Sequence, residues 1–395
     1  MDEKIINKYQ VCMITGTRAE YGLLRQLMLK IKKQENIELQ LVVTGSHLSQ
    51  KFGNTQDEII EDGFKDYIKL AIPMDDDSKE GMAISAGVAM TKFAELFTEY
   101  KPDIVIVLGD RFEIFAAVAA AHLVGITVVH LSGGDTTEGA VDDAIRHSIT
   151  KMSHLHFPGC EQSAKRIIQM GEQPDRVFNV GEPGVENCLK MQLISRNELA
   201  DNLKFNAIHG SYSIVTFHPV TMENNTAVSQ VYELIKAMDS FKDMSYIITM
   251  ANADAGGRMI NDIWLREGAS RTNWLVVSSL GVLRYLSAVN YAKVVIGNSS
   301  SGVIEAPSMG TPTVNIGDRQ KGRMMAESVV CCLPERDKIT EAIKKVLKAD
   351  FQLKSKHIVS PFGDGTTSDQ IVKRINEYLE NKAGTNEKHF YDIEF

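Results

Sequence analysis

Residues 11–32, VCMITGTRAEYGLLRQLMLKIK, decide the fold. Val11–Thr15 is brief and apolar on both faces, which is how a strand buried in a parallel sheet reads. Tyr21–Lys32 reads as a helix, so Gly16–Glu20 is a tight connection from strand to helix. Outward from here the same alternation repeats. Leu39–Thr44, Ile104–Leu108 and Thr127–Leu131 are further short strands, separated by the helical stretches Ile84–Tyr100 and Phe112–His122. Strands alternating with helices over short connections predict a doubly wound α/β fold with right-handed crossovers. After Gly181-Glu182-Pro183-Gly184 a polar stretch, Lys190–Ser211, interrupts the rhythm. It resumes with Ser213–Phe217, Ser245–Met250, Leu275–Ser278, Val294–Gly297 and Thr313–Ile316. The expected organisation is an N-terminal Rossmann-like domain, 1–185, and a C-terminal one, 186–364. A segment, 365–395, carries the helix Thr367–Asn381 back to the first domain. The polar tail Lys382–Phe395 is expected to be loosely held. Two such domains facing across a cleft hold ligands at the carboxyl ends of their strands.

Composition narrows the function. At 395 residues the chain exceeds one ordinary core. Hydrophobic residues at 44% and charged residues at 24% argue against disorder. A net charge of −8 leaves no electrostatic footprint for nucleic acid or an anionic membrane, so bound phosphate must meet a local basic cluster. The five cysteines form no C-x-x-C pair, which predicts reduced thiols and neither a disulfide frame nor a zinc site. The opening MDEKIINKYQ is polar and unlike a signal peptide. The apolar stretch Phe115–Val129, broken by His122 and Gly125, falls short of the ~20 residues of a membrane helix. A cytoplasmic, metal-free protein is expected.

The residues with chemistry follow strands. Gly16-Thr17-Arg18 at a helix start is either an anion-holding N-terminus or a plain tight turn. It lacks the glycine spacing of dinucleotide folds. Asp110-Arg111 after the fourth strand is a proton-handling pair, with Arg111 orienting Asp110, or a helix N-cap. The next loop, Ser132-Gly133-Gly134-Asp135-Thr136-Thr137-Glu138-Gly139, leads to Asp142, Asp143, Arg146 and His147 and is dense in proton carriers. Asp142 and Arg146 share a helix face, so a structural ion pair is the plainer account there. In the second half His218 ends a strand, and Asn252 and Asp254 follow the next. Gly297-Asn298-Ser299-Ser300-Ser301-Gly302 opens a helix with hydroxyls and amides suited to a diphosphate, and Glu305 is suited to ribose hydroxyls. Arg319, Lys321 and Arg323 place three cations within five residues to meet phosphate.

Taken in order, these motifs resemble the hydrolysing UDP-N-acetylglucosamine 2-epimerases of sialic- and legionaminic-acid biosynthesis. The resemblance rests on GTRAEYGLL (16–24), GDRFE (109–113), RHSITKMSHLHF (146–157), FHP (217–219), NSSSG (298–302) with Glu305, NIGDRQKGR (315–323) and FYDI (390–393). It implies a GT-B-like fold, UDP held mainly by the second domain, and a homodimer or homotetramer. It also implies a reaction without metal or NAD. A base takes the carbon 2 proton, UDP leaves with the anomeric oxygen, and water adds to the resulting 2-acetamidoglucal. By motif, Arg18, His218, Ser299, Ser300, Glu305 and Arg319 contact UDP, joined by Asn252 and Lys321. Asp110 and Asp142 are acid/base residues, with Arg111 and Asp143 beside them.

One departure is plain. Many family members carry Glu immediately before the Gly-Gly pair, where this chain has Ser132. Serine exchanges no proton near neutral pH unaided, so Asp135 or Glu138 is expected to compensate. Two substrates fit the same machinery, UDP-N-acetylglucosamine and UDP-2,4-diacetamido-2,4,6-trideoxyglucose. Rival functions are a non-hydrolysing epimerase and a non-catalytic UDP-sugar sensor.

Overall fold

Buried, β-branched runs form the strands throughout. The computed structural model describes residues 8–49, 56–76, 78–136, 141–219, 226–251, 257–381 and 387–394. Among these residues twelve strands form two all-parallel six-stranded sheets. The first contains β1 (Tyr9–Thr15), β2 (Ile37–Thr44), β3 (Ile68–Leu70), β4 (Ile104–Leu108), β5 (Thr127–Leu131) and β6 (Leu155–Phe157) in the order β3-β2-β1-β4-β5-β6. The second contains β7 (Tyr212–Thr216), β8 (Ser245–Thr249), β9 (Trp274–Val277), β10 (Val294–Gly297), β11 (Thr313–Ile316) and β12 (Val329–Cys332) in the order β12-β11-β10-β7-β8-β9. The doubly wound expectation holds in both halves. Each sheet reverses its winding beside its first strand, between β1 and β4 and between β7 and β10. Open α/β sheets bind ligands outside such a switch point.

Three strands lie outside the patterning. β3 and β6 are three residues each, and β12 is a partly exposed edge containing Cys331 and Cys332. The first helix also starts earlier than predicted, at Arg18, because Thr17 and Glu20 form a reciprocal capping box.

Among the described residues, contacts divide the chain into two units. One comprises Met1–Asp135, Val141–Glu186 and Gly365–Phe395, the other Thr136–Ala140 and Asn187–Asp364. In the first, helix Thr367–Glu380 packs Ile371, Val372, Ile375 and Leu379 into the core shared with Leu24, Leu27, Met28 and Ile31 of helix Arg18–Lys32. Each such buried side chain contributes roughly 1.5–3 kcal/mol. Polar ties hold the helix start: Thr367 Oγ1 donates to the Val180 carbonyl at 2.9 Å, and Glu186 Oε2 accepts from Ser368 N at 2.7 Å.

The expected loose tail is corrected over residues 387–394. Lys388 Nζ meets Glu172 Oε2 at 2.7 Å, and Tyr391 N donates to the Gly171 carbonyl at 2.9 Å. Gly171, at φ +85°, leaves the space that Phe390 fills; a Cβ there would lie 2.3 Å from the ring.

Candidate functional site

Each unit presents a polar cluster at the carboxyl edge of its sheet. In the first unit the β1 turn is not an open anion nest. Glu20 Oε2 accepts from Gly16 N at 2.7 Å and from Thr17 N at 3.1 Å, so the chain's own carboxyl occupies those amides. Arg18, the first helical residue, pairs with Glu58. Beneath the turn lies Glu113, fully buried, close enough that a Cβ on Gly16 would stand 2.7 Å from its Oε1. Burial first, then the Glu113 charge, push the Glu20 carboxyl up to about 8. This buried carboxyl pair gave no periodic or motif signal beyond the letters of GTRAEY and GDRFE.

At the β4 end Asp110 pairs with Arg146, not as the helix cap: the N-cap residue of Phe112–Leu123 is Arg111, with no side-chain capping bond. Arg111 Nε donates to Glu113 Oε1 at 2.6 Å, so the orienting arginine for Asp110 is Arg146. Arg146 is buried and fixed on three sides. It meets Asp110, donates from Nη1 to the Asp135 carbonyl at 3.0 Å, and lies 3.8 Å from Asp143. The helix-face ion pair thus runs to Asp143, which also stands 3.7 Å from His147; Asp142 is exposed on the same helix, Val141–Met152. On β5, His130 Nε2 donates to the Gly109 carbonyl at 2.8 Å, and burial holds its ring neutral, with a pKa down at about 3. Ser132 follows β5 at φ +58° and donates its hydroxyl to Glu182 Oε2 at 2.7 Å. Thr137, Glu138 and Gly139 lie outside the described residues, as do Asn252 and Asp254.

In the second unit the switch point brings β7 and β10 side by side. Gly297 makes this possible: at φ +138° its Cα approaches so closely that a Cβ would lie 1.8 Å from the Thr216 carbonyl. His218, just past β7, is buried, and desolvation followed by the Arg319 charge lowers its pKa to about 3. Asn298 braces it through the backbone and receives Arg319 Nη1 at 3.1 Å and Gln320 Nε2 at 2.8 Å on its own carbonyl. Ser299 is the N-cap residue of helix Ser300–Ser308 but makes no side-chain capping bond, so capping does not consume its hydroxyl. Glu305 is half-buried on that helix, its carboxyl raised by burial. The structure therefore gathers His218, Ser299, Ser300 and Arg319 at one sheet edge, with Lys321 exposed in the following turn. Asn298 and Gln320, which hold this group together, were not singled out from sequence, although both lie inside its motifs.

Among the described residues no three His, Cys, Asp or Glu side chains come together as a metal site, and no helix is long and apolar enough to cross a membrane.

The family model described as UDP-N-acetylglucosamine 2-epimerase matches residues 29–376. The chain is 38% identical over 350 residues to the GDP/UDP-N,N'-diacetylbacillosamine 2-epimerase (hydrolyzing) of Campylobacter jejuni, covering 88% of this chain and 90% of that one. It is 35% identical over 385 residues to polysialic acid biosynthesis protein P7 of Escherichia coli, covering 97% of each. The crystal structure of the Neisseria meningitidis UDP-GlcNAc 2-epimerase bound to UDP-GlcNAc shares the fold, with a TM-score of 0.79 at 19% identity over 93% of this chain and 100% of that chain.

Proposed function

Because the chain belongs to the UDP-N-acetylglucosamine 2-epimerase family, we propose that it is a hydrolysing UDP-N-acetylglucosamine 2-epimerase, yielding UDP and N-acetylmannosamine. The observation that carries the reading is the buried Arg146 paired with Asp110 at the β4 end. A fixed guanidinium aims that carboxyl group for proton exchange.

In this reading Asp110 and Asp142 are the acid/base residues that exchange protons with sugar carbon 2, Arg111 and Asp143 standing beside them. The carbon 2 proton is weakly acidic, so its removal is coupled to breakage of the C1–O bond. Charge grows on the departing diphosphate as that bond breaks. Arg319, Lys321 and the amides and hydroxyls at Ser299 and Ser300 are suited to stabilise it, and so contribute to rate as well as to binding. His218, held neutral, donates a hydrogen bond without adding charge. Glu305 receives ribose hydroxyls, while Arg18 and Asn252 complete the UDP contacts.

A second substrate is favoured by one comparison. The Campylobacter jejuni relative, 38% identical, is a hydrolysing epimerase of diacetylbacillosamine nucleotides. UDP-2,4-diacetamido-2,4,6-trideoxyglucose would be turned over by the same residues. Incubation with each nucleotide-sugar in deuterated water, followed by phosphorus and proton NMR, tests both. Free UDP with a 2-epimeric sugar carrying deuterium at carbon 2 is expected, and the faster substrate names the specificity. UDP binding with no UDP release from either sugar leaves a sensor instead.

A further inference from the structure

Among the described residues three non-glycine residues have positive φ: Lys101, Ser132 and Lys204. The two lysines terminate helices as left-handed C-caps, a routine place for that conformation. Ser132 terminates no helix. It follows β5 and is locked there, its N–H donating to the Phe157 carbonyl at 2.9 Å and its hydroxyl to Glu182 Oε2 at 2.7 Å. Strain kept at a strand's carboxyl end points to a function for the side chain it aims.

Glu182 is equally built in. A Cβ at residue 159 would lie 1.9 Å from Glu182 Oε1, so only glycine there admits the carboxylate. Its segment is pinned where Thr367 Oγ1 reaches the Val180 carbonyl at 2.9 Å, just before helix Pro183–Lys190. Ser132 and Asp110 follow the carboxyl ends of neighbouring strands, because Leu108 pairs with Leu131 and His130 donates to the Gly109 carbonyl. The serine–glutamate pair therefore lies just past the strand next to the one that Asp110 follows.

We infer that Glu182 acts through Ser132 as the proton acceptor for water in the second stage of the reaction, an inference that rests on the hydrolysing reading above. As the water oxygen bonds to carbon 1 of the glucal, its proton passes to Ser132 Oγ, and the serine's own hydrogen passes to Glu182 Oε2. The electron pair of the C1=C2 bond takes a proton at carbon 2 from the second acid of the site, for which Asp110 is the candidate. Serine, inert by itself at neutral pH, becomes a relay because a carboxylate accepts its hydrogen. This places the missing acid on another segment of the chain instead of on Asp135 or Glu138.

The test separates the two stages. UDP release, the 2-acetamidoglucal and the free 2-epimeric sugar are quantified by NMR for wild type, E182Q, S132A, the double variant and S132E/E182Q, with D135N and E138Q alongside. Both single variants are expected to release UDP and accumulate glucal. Formation of the free sugar should fall on the order of 10²-fold. The double variant should be no worse than either single one, as for one shared relay. The carboxylate of S132E/E182Q should restore hydration. Free-sugar formation by E182Q at the wild-type rate overturns the inference, as does a loss confined to D135N or E138Q. Equal loss of both stages together with UDP affinity marks a merely structural contact and overturns it too. Wild-type protein that releases no UDP removes the parent reading and this inference with it.

Discussion

Asn298 grips both polar groups of the His218 backbone, accepting its N–H on Oδ1 at 2.7 Å and donating from Nδ2 to its carbonyl at 2.8 Å. The chain just past β7 is thereby fixed in two directions, while the Asn298 carbonyl collects Arg319 and Gln320 from the loop after β11. One buried residue thus joins three loops at the β7–β10 switch, its side chain holding His218 and its main-chain carbonyl holding Arg319 and Gln320. Position, more than charge, is what this side chain contributes.

Replacing it should accordingly damage UDP binding more than overall folding. N298A removes two buried hydrogen bonds, each worth about 1 kcal/mol net. It frees the His218 backbone while the main-chain carbonyl that receives Arg319 stays in place, and UDP affinity measured by calorimetry should fall roughly 10- to 100-fold. N298D retains the acceptor but has no donor for the His218 carbonyl, so it should fall between wild type and N298A. UDP affinity unchanged in N298A would mean that the brace has no part in the nucleotide site.

Asp110 and Arg146 make a prediction about rate. In D110N the proposed proton-exchanging group is lost while the residues proposed to contact UDP are unchanged. kcat should drop on the order of 10²–10⁴-fold with UDP affinity preserved. R146K keeps the charge but cannot reach Asp110, the Asp135 carbonyl and Asp143 at once, because it lacks the planar fork. It should therefore also lose kcat, without loss of fold. Wild-type kcat in D110N would exclude Asp110 as acid or base.

The buried Glu20 makes a prediction about pH. Its carboxyl is raised from 4.5 to about 8 in the folded protein, so between those values the folded state holds a proton that the unfolded state has released. Stability must then fall as pH rises from about 4.5 to about 8. Buried histidines such as His130 and His218 act oppositely and lower down, from 6.5 toward about 3. Urea denaturation of wild type and E20Q between pH 6.5 and 8 isolates the glutamate. Wild type should lose stability across that window and E20Q should not. Parallel curves would mean that Glu20 ionises normally.

The fold was legible because buried parallel strands such as Ile104–Leu108 and Thr127–Leu131 are apolar on both faces, a pattern only a two-sided sheet satisfies. β3 and β6 escaped because three residues carry no period, and β12 because four residues of a partly exposed edge are too short to carry one. Most candidate residues were found through their place after a strand. What escaped was partnership. Asp110 looked like the partner of its neighbour Arg111, yet the chain reaches 36 positions further, to Arg146. Gly16 and Thr17 looked open to an outside anion, yet a residue of the same helix turns back to fill them. The Ser132–Glu182 contact spans 50 positions. Spacing along the chain says which element a side chain leaves from, and only the fold says where it arrives.

The carboxyl-terminal segment carries the last prediction. Glu172, almost fully buried, accepts from Lys151 at 2.6 Å and His156 at 3.0 Å and pairs with Lys388 of the tail at 2.7 Å. Burial alone would raise its pKa, but these partners together pull it down to about 2. A depressed carboxyl stabilises the fold above its unfolded value of 4.5, and that contribution drains away as pH falls from about 4.5 toward about 2. Removing Lys388 leaves Glu172 with two cationic or hydrogen-bonding partners, whereas removing the carboxylate leaves Lys151 and Lys388 without the counter-charge they share. K388M should therefore cost less than the roughly 3–5 kcal/mol of breaking an isolated buried pair, and E172Q should cost more than K388M. E172Q should also flatten the acid limb between pH 4.5 and 2. Urea titrations at pH 7 and 4 decide it: a K388M loss equal to or above that of E172Q would show that the tail, not the carboxylate, is the keystone of the cluster.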